Sequence, residues 1–142
     1  MNAIHARPSL AAARALLEAA QLPTADLTPD HCERFFYQGP PDAPTGLVGL
    51  ELFGDVALLR SLVVRPTVRA AGLGSALLRH AEGFARSTEV NTVYLLTTTA
   101  EEFFTRRGYV RTARESAPPA IRTTREFAGI CPASSAFMSK TL

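Results

Sequence analysis

Residues 56–76 read Val56-Ala57-Leu58-Leu59-Arg60-Ser61-Leu62-Val63-Val64-Arg65-Pro66-Thr67-Val68-Arg69-Ala70-Ala71-Gly72-Leu73-Gly74-Ser75-Ala76 and join a buried strand to an amphipathic helix. The run Val56–Val64 is apolar on both alternating faces, apart from Arg60 and Ser61, as expected of a strand covered on both sides. Pro66 ends it, because proline cannot donate to a strand ladder. From Gly72 the period changes. Leu73, Ala76, Leu77, Ala81 and Phe84 form one apolar stripe, which predicts a helix over residues 72–86. Gly72 and Gly74 leave no side chain between the backbone and a ligand. The first helical turn has free N–H groups, and the helix dipole favours an anion there. Arg69 adds a full positive charge. This pattern suits a phosphate or pyrophosphate.

Two common phosphate loops do not match. A P-loop requires Gly-Lys-Ser/Thr, and Lys140 is the only lysine in the chain. A dinucleotide fingerprint requires a third glycine where Leu77 stands.

Outward from this segment, residues 2–7 read as a short strand. Ser9 reads as the N-cap of a helix running to Gln21, with Leu10, Ala13, Leu17 and Ala20 on one face. Residues 24–31 read as a loop and residues 33–38 as a strand. Gly46–Phe53 and Val56–Val64 flank Gly54-Asp55 as a hairpin. Residues 92–96 read as a strand, 101–106 as a short helix ended by Gly108, and 109–112 as a strand. Residues 120–127 read as helical and 137–142 as a closing strand. Strands outnumber helices, and neighbouring strands can pair as hairpins. The expected fold is α+β: a mixed, mostly antiparallel sheet with helices on both faces.

The chain has 142 residues, 46% apolar and 20% charged, which suits one domain spanning residues 1–142. No apolar run approaches the ~20 residues of a membrane span, and residues 1–8 lack a signal-peptide core. The expected location is cytoplasmic. A formal charge of +2 gives no reason to expect nucleic acid. Cys32 and Cys131 lie far apart, and His5, His31 and His80 are scattered, so neither a disulfide nor a metal site is expected.

The motif Val-x-Pro-x-x-Arg-x-x-Gly-x-Gly, at Val64, Pro66, Arg69, Gly72 and Gly74, resembles the pyrophosphate loop of the GNAT N-acetyltransferases. A second motif, Ala100-Glu101-Glu102-Phe103-Phe104-Thr105-Arg106-Arg107-Gly108-Tyr109, is similar to the late Ala-x-x-Phe-Tyr-x-x-x-Gly-Phe segment of that family. The resemblance extends to Gly49-Leu50-Glu51, Leu58-Leu59-Arg60-Ser61, Tyr94-Leu95-Leu96-Thr97, Thr124-Arg125-Glu126-Phe127 and Cys131-Pro132-Ala133-Ser134. Together these segments look like a subgroup associated with arsenic-resistance gene clusters.

The resemblance implies acetyl-CoA as co-substrate, wedged between two splayed parallel strands, Val56–Val64 and residues 92–96. Leu62, Val63 and Val64 would pair with the pantetheine arm. Arg69, Ala70, Ala71, Gly72, Leu73, Gly74 and Ser75 would hold the pyrophosphate. A backbone N–H near Leu62 would polarise the thioester carbonyl. An amine would then attack the acetyl carbon directly, and Thr97 and Phe104 would flank the cofactor.

The chain also departs from the pattern. Phe104 stands where the family's usual proton-donating tyrosine lies, and Val56–Val64 lacks the usual carboxylate. Glu51, on the preceding strand, is the candidate base. Ser61, Thr98 and Thr99 can donate hydrogen bonds near the thioester. Arg60, among leucines, requires an anionic partner: either an internal one such as Glu51 or a substrate carboxylate. Glu126 is expected to line the substrate side. The expected acceptor is a small-molecule amine, amino-acid-like if Arg60 clamps a carboxylate. A non-catalytic acyl-CoA-binding module is the alternative. A homodimer is left open.

Overall fold

The structure is a computed structural model, and it describes residues 3–66, 72–131 and 134–142. Seven strands form one sheet: β1 (Ile4–Ala6), β2 (Phe35–Gln38), β3 (Gly46–Phe53), β4 (Val56–Val64), β5 (Thr92–Thr97), β6 (Val110–Arg111) and β7 (Ala136–Thr141). Among the described residues, five α-helices accompany them: α1 (Leu10–Ala19), α2 (Pro29–Cys32), α3 (Leu73–Ser87), α4 (Glu101–Thr105) and α5 (Pro119–Arg122). The strand order is β1-β2-β3-β4-β5-β7-β6. Every neighbouring pair is antiparallel except β4 and β5, which run parallel. Among the described residues, no helix is long and apolar enough to cross a membrane.

The two faces follow from strand alternation. Val48, Leu50, Ala57, Leu59, Val93 and Leu95 point toward α3 and α4, where Leu77, Leu78, Ala81 and Phe104 close the larger core. On the other face Leu47 and Val63 pack against α1 and α2. Leu58 and Phe137 pack there too, against Ala117 and Ile121. The fold matches the expected mixed sheet with helices on both sides.

Two segments differ from the sequence reading. The stretch read as a loop ends in α2, which Pro29 opens from the Thr28 cap; proline suits the first helical position because that N–H has no partner to lose. Residues 120–127 are not one helix. Pro119 opens α5 early, and a π-helical turn follows over Glu126–Ile130. Ser9 caps α1 as expected, its Oγ accepting from Ala12 N at 3.1 Å. The helix ends at Ala19, a turn's fraction short of Gln21.

The parallel seam is short. β4 and β5 pair only where Val56, Ala57 and Leu58 face Thr92, Val93 and Tyr94. Beyond Leu58 the strands part, while β5 continues its pairing with β7 as far as Thr97–Ala136. A bulge helps to aim β4 away. The β3 register shifts between Leu47 and Gly49, opposite Ser61 and Leu62. Ser61 sits at φ +61°, a left-handed conformation that non-glycine residues seldom adopt.

A buried charge ties the site-bearing elements together. Arg60 is 3% exposed and faces three carboxylates. Its Nη1 donates to Asp26 Oδ2 at 2.5 Å and to Glu51 Oε2 at 2.9 Å. Its Nη2 donates to Asp26 Oδ1 at 2.9 Å and lies 3.2 Å from Glu126 Oε2. Its Nε donates to Ser61 Oγ at 3.1 Å. Gly49, paired with Arg60 across β3, lies beneath the Phe35 ring; a Cβ there would come within 2.2 Å of that ring. The aromatic covers this part of the strand closely, as only glycine permits.

Burial, together with the Asp26 and Glu51 charges, outweighs Arg60 and pushes the Glu126 carboxyl up to about 7 from its ordinary 4.5. A carboxyl with the higher pKa in the folded state keeps its proton there while the unfolded chain has lost it. Its contribution to stability therefore falls as pH rises from about 4.5 to about 7 and is level above that. Glutamine reproduces the protonated carboxyl. Glu126→Gln is expected to raise the melting temperature at pH 8 and to leave it nearly unchanged at pH 5. Thermal melts at both values check this, and a gain of equal size at both would refute it.

Candidate active site

The parting of β4 from β5 creates a cleft of about 420 Å³ through the sheet. Leu59, Leu95 and Phe104 line it from the α3–α4 face. Arg60, Cys131 and Ser135 line it as well, with Ser61, Leu62 and the turn Thr97–Thr99. A second groove of about 560 Å³ runs on from Leu62, Val63 and Val64 to Gly72, Gly74 and Ser75. The two share Leu22, Leu62, Thr99 and Ala100, so they form a continuous path. A third hollow, lined by Asp26, His31, Glu51, Thr123 and Thr124, opens on the face of the Arg60 cluster.

The helix end at the groove is built as the sequence implies. Gly72 starts α3 at φ +73°, and among the described residues no side chain caps the helix. The N–H groups of the first turn are thus available to an anion. Leu73 turns its side chain into the core, so only its backbone can serve a ligand. Ser75 faces the groove, and its Oγ accepts from Arg107 Nε at 2.8 Å. Arg69, Ala70 and Ala71, expected to grip pyrophosphate, lie outside the described residues.

Arg107 was not singled out in the sequence. Its guanidinium lies 3.7 Å over the Phe103 ring, and its Nη1 donates to Phe103 O at 2.8 Å. The ring and the carbonyl hold a cation at the mouth of the helix N-terminus. An arginine four residues after an aromatic was the available signal, but the neighbouring Arg106 pairs instead with Glu102 on the surface.

The proton-transfer groups are arranged less simply. Phe104 is 5% exposed and meets the Phe103 and Tyr109 rings edge-on, so it presents a hydrocarbon surface to the cleft. Tyr109 does not replace the missing hydroxyl. Its OH donates to Glu82 Oε2 at 2.8 Å, and Lys140 pairs with the same carboxylate. Burial and the Glu82 charge push the phenol well above its ordinary range. Thr97 Oγ1 accepts from Ala100 N at 3.0 Å and so shapes the turn after β5. Thr98 lines the cleft beside it.

Arg60 joins Glu51, as the internal-pair reading expects, and it also joins Asp26 and Glu126, whose pairing the sequence did not reveal. All of its N–H groups face oxygens of this chain, which leaves no fork for a substrate carboxylate. Asp26 is pulled below the usual carboxylate range: burial opposes ionisation, but the Arg60 hydrogen bond and charge overcome it. Glu126 is buried beside Arg60 and lines none of the three hollows described above. Cys131 does reach the cleft. Burial and the Glu126 charge push its thiol up to about 12, so it remains a protonated donor to Glu126. Both cysteines are free thiols.

Glu51 borders the hollow, with His31 Nε2 at 3.9 Å from its Oε2. Asp26, His31 and Glu51 offer ligand atoms within 4.8 Å of one another, a spacing that a metal ion could span. Their chemistry is already committed. Both Asp26 oxygens bind Arg60. His31 Nδ1 accepts from Thr28 N at 3.2 Å, which leaves the ring proton on Nε2, toward Glu51.

The acetyltransferase (GNAT) domain family matches residues 32–111 of this chain. No curated protein matches its sequence. The N-acetylglutamate synthase of Neisseria gonorrhoeae, solved with coenzyme A and N-acetyl-glutamate, superimposes at TM-score 0.81 with 22% identity. That match covers 100% of this chain and 35% of the synthase; in the complex with coenzyme A and L-arginine the TM-score is 0.83 at 21% identity, over 99% and 33%. This chain therefore spans about a third of the synthase's length. Rv2747 of Mycobacterium tuberculosis, solved in complex with CoA, has TM-score 0.78 and 18% identity over 99% of both chains. A GNAT-family acetyltransferase of Staphylococcus aureus has TM-score 0.81 and 14% identity over 100% and 99%. Parallel strands that part at Leu58, an uncapped glycine-led helix beside the gap and a family match over residues 32–111 lead to one assignment: this chain belongs to the GNAT acetyltransferase family.

Proposed function

We propose that the protein moves an acetyl group from acetyl-CoA to the amine of a small molecule by direct attack on the thioester. The observation that carries this reading is the continuous path from the α3 N-terminus to the cleft between β4 and β5. Pyrophosphate would rest on the N–H groups of Gly72–Ser75, with Arg107 beside it. The pantetheine arm would follow the edge of β4 over Leu62–Val64. The acetyl group would then sit in the cleft, where a β4 backbone N–H near Leu62 stabilises the developing oxyanion.

The acceptor would enter from the opposite face, over the third hollow. Asp26 and Glu51 border that hollow against the one guanidinium of Arg60, so the local field favours a cation. An amine arriving protonated is drawn in beside Glu51, which then takes its proton and frees the attacking lone pair. The departing CoA thiolate receives a proton from the solvent-connected groove, since Phe104 has none to give. Neither a membrane nor a nucleic acid is needed, and a cytoplasmic setting would supply acetyl-CoA.

A second reading keeps an amino-acid acceptor, because the Neisseria synthase was solved with N-acetyl-glutamate. A thiol-release assay with acetyl-CoA separates the two. Short diamines are expected to raise release well above hydrolysis, and glutamate is expected to do so weakly. Glutamate as the better acceptor overturns the cation preference. Binding of acetyl-CoA in a calorimeter, with no release on any amine, leaves only the non-catalytic module.

Two substitutions test the site. Glu51→Gln is expected to lower kcat/KM by ~10²- to 10³-fold at neutral pH, the usual cost of losing a general base, with acetyl-CoA affinity retained. A loss below threefold removes Glu51 from the mechanism. Arg107→Ala is expected to weaken acetyl-CoA binding by ~5- to 30-fold, the worth of one charge-assisted contact. Unchanged affinity in a calorimetric titration would place the pyrophosphate elsewhere.

A further inference from the structure

Ser135 immediately precedes β7 and is 6% exposed. Its backbone is fixed on both sides. The carbonyl accepts from Arg114 Nη2 at 2.9 Å, and the next residue, Ala136, pairs with Thr97 at the end of β5. Its side chain lines the cleft. Among the described residues, Ser135 Oγ is the one buried side-chain polar atom without a hydrogen-bond partner. Such an orphan is unfavourable and rare in a folded protein.

Three neighbouring polar groups are already engaged. Thr97 Oγ1 shapes the turn, Ser61 Oγ receives Arg60 Nε, and the Cys131 thiol serves Glu126. Among the described residues on the cleft wall, Ser135 is the buried hydroxyl with no partner. Its side of the sheet follows from alternation. Phe137, two residues on, packs with Leu58 against α5, and Arg60 follows Leu58 by two on β4. Ser135 therefore belongs with Arg60, on the face opposite α3 and α4. A thioester laid along the α3–α4 groove presents its carbonyl carbon to that face.

We propose that Ser135 is an acceptor-binding residue: its Oγ accepts a hydrogen bond from an N–H of the incoming amine. The contact would satisfy the orphaned hydroxyl and hold the nitrogen lone pair toward the acetyl carbon. The inference rests on the acetyl-transfer reading above and takes a primary or secondary amine as its ligand, because a nitrogen with no N–H has nothing to donate.

The test needs no knowledge of the natural acceptor. The probe is CoA carrying –CH₂–C(O)–NH–CH₃ on sulfur, which mimics the acetyl group joined to an amine. Wild type is expected to bind this probe more tightly than CoA. Ser135→Ala, which removes one oxygen, is expected to weaken the probe by ~5- to 10-fold, the worth of one hydrogen bond, and to change CoA affinity by less than twofold. The N,N-dimethyl version of the probe, lacking the N–H, should bind wild type and variant alike. A melting temperature at or above that of wild type shows that the variant is folded. Equal loss for CoA and probe assigns the hydroxyl to the cofactor and overturns the proposal, as does no loss at all. Failure of wild type to turn over any amine would sink the transfer reading, yet these binding ratios would still decide the role of Ser135.

Discussion

A guanidinium enclosed within a protein interior cannot shed its charge, so the fold around Arg60 must supply anions or fail. Asp26 comes from the loop before α2, Glu51 from β3, and Glu126 from the π-helical turn after α5. Three segments distant in sequence are thereby drawn to one point on β4. Carboxylates outnumber the cation, and that surplus has two effects. Added to burial, the larger cause, it pushes the Glu126 carboxyl up to about 7, and it gives the adjoining hollow a negative field. One ionic cluster thus fixes the C-terminal segment over the sheet and sets the charge that the acceptor side presents. Ion pairs of this kind seldom add much net stability. Their value here is positional, since each carboxylate brings its own loop to the cleft.

The cofactor side rests on different physics. Among the described residues no side-chain charge is buried there; on the proposed reading the work falls to backbone N–H groups at a glycine-led helix start and to one arginine stacked on an aromatic ring. Catalysis on such a scaffold leans on where charge develops more than on a dedicated acid. Phe104 is consistent with that emphasis. It fills the space of a tyrosine with carbon, keeping water from that wall of the cleft.

Much of the fold was legible because it is written in apolar period. The bounds of β3 and β4 follow from alternation about Gly54-Asp55, and α3 follows from its stripe. The helix start was legible through Pro66, Gly72 and Gly74, whose backbone demands leave few alternatives. What escaped was mostly tertiary. Asp26 stands in a polar loop where a carboxylate ordinarily faces water, and only Arg60, thirty-four positions later, gives it a reason to be buried. Ser135 carries no signal at all, because a serine before a strand is unremarkable until its surroundings are seen to be dry. Residues 24–31 misled by composition: Pro29 reads as a breaker, yet after Thr28 it is a helix opener. The π-helical turn has no short-range period by which to find it.

The three-rung junction between β4 and β5 has a mechanical meaning. The sheet is in effect two ribbons, β1–β4 and β5-β7-β6, stitched at one end and open at the other. Within the opening, β4 bares a length of backbone that a neighbouring strand would ordinarily cover. Such an edge is adhesive toward any extended chain, including another unfolded copy of the protein. On the acetyl-transfer reading proposed above, a cofactor arm lying along it would act as the missing strand, covering the edge as well as presenting the thioester.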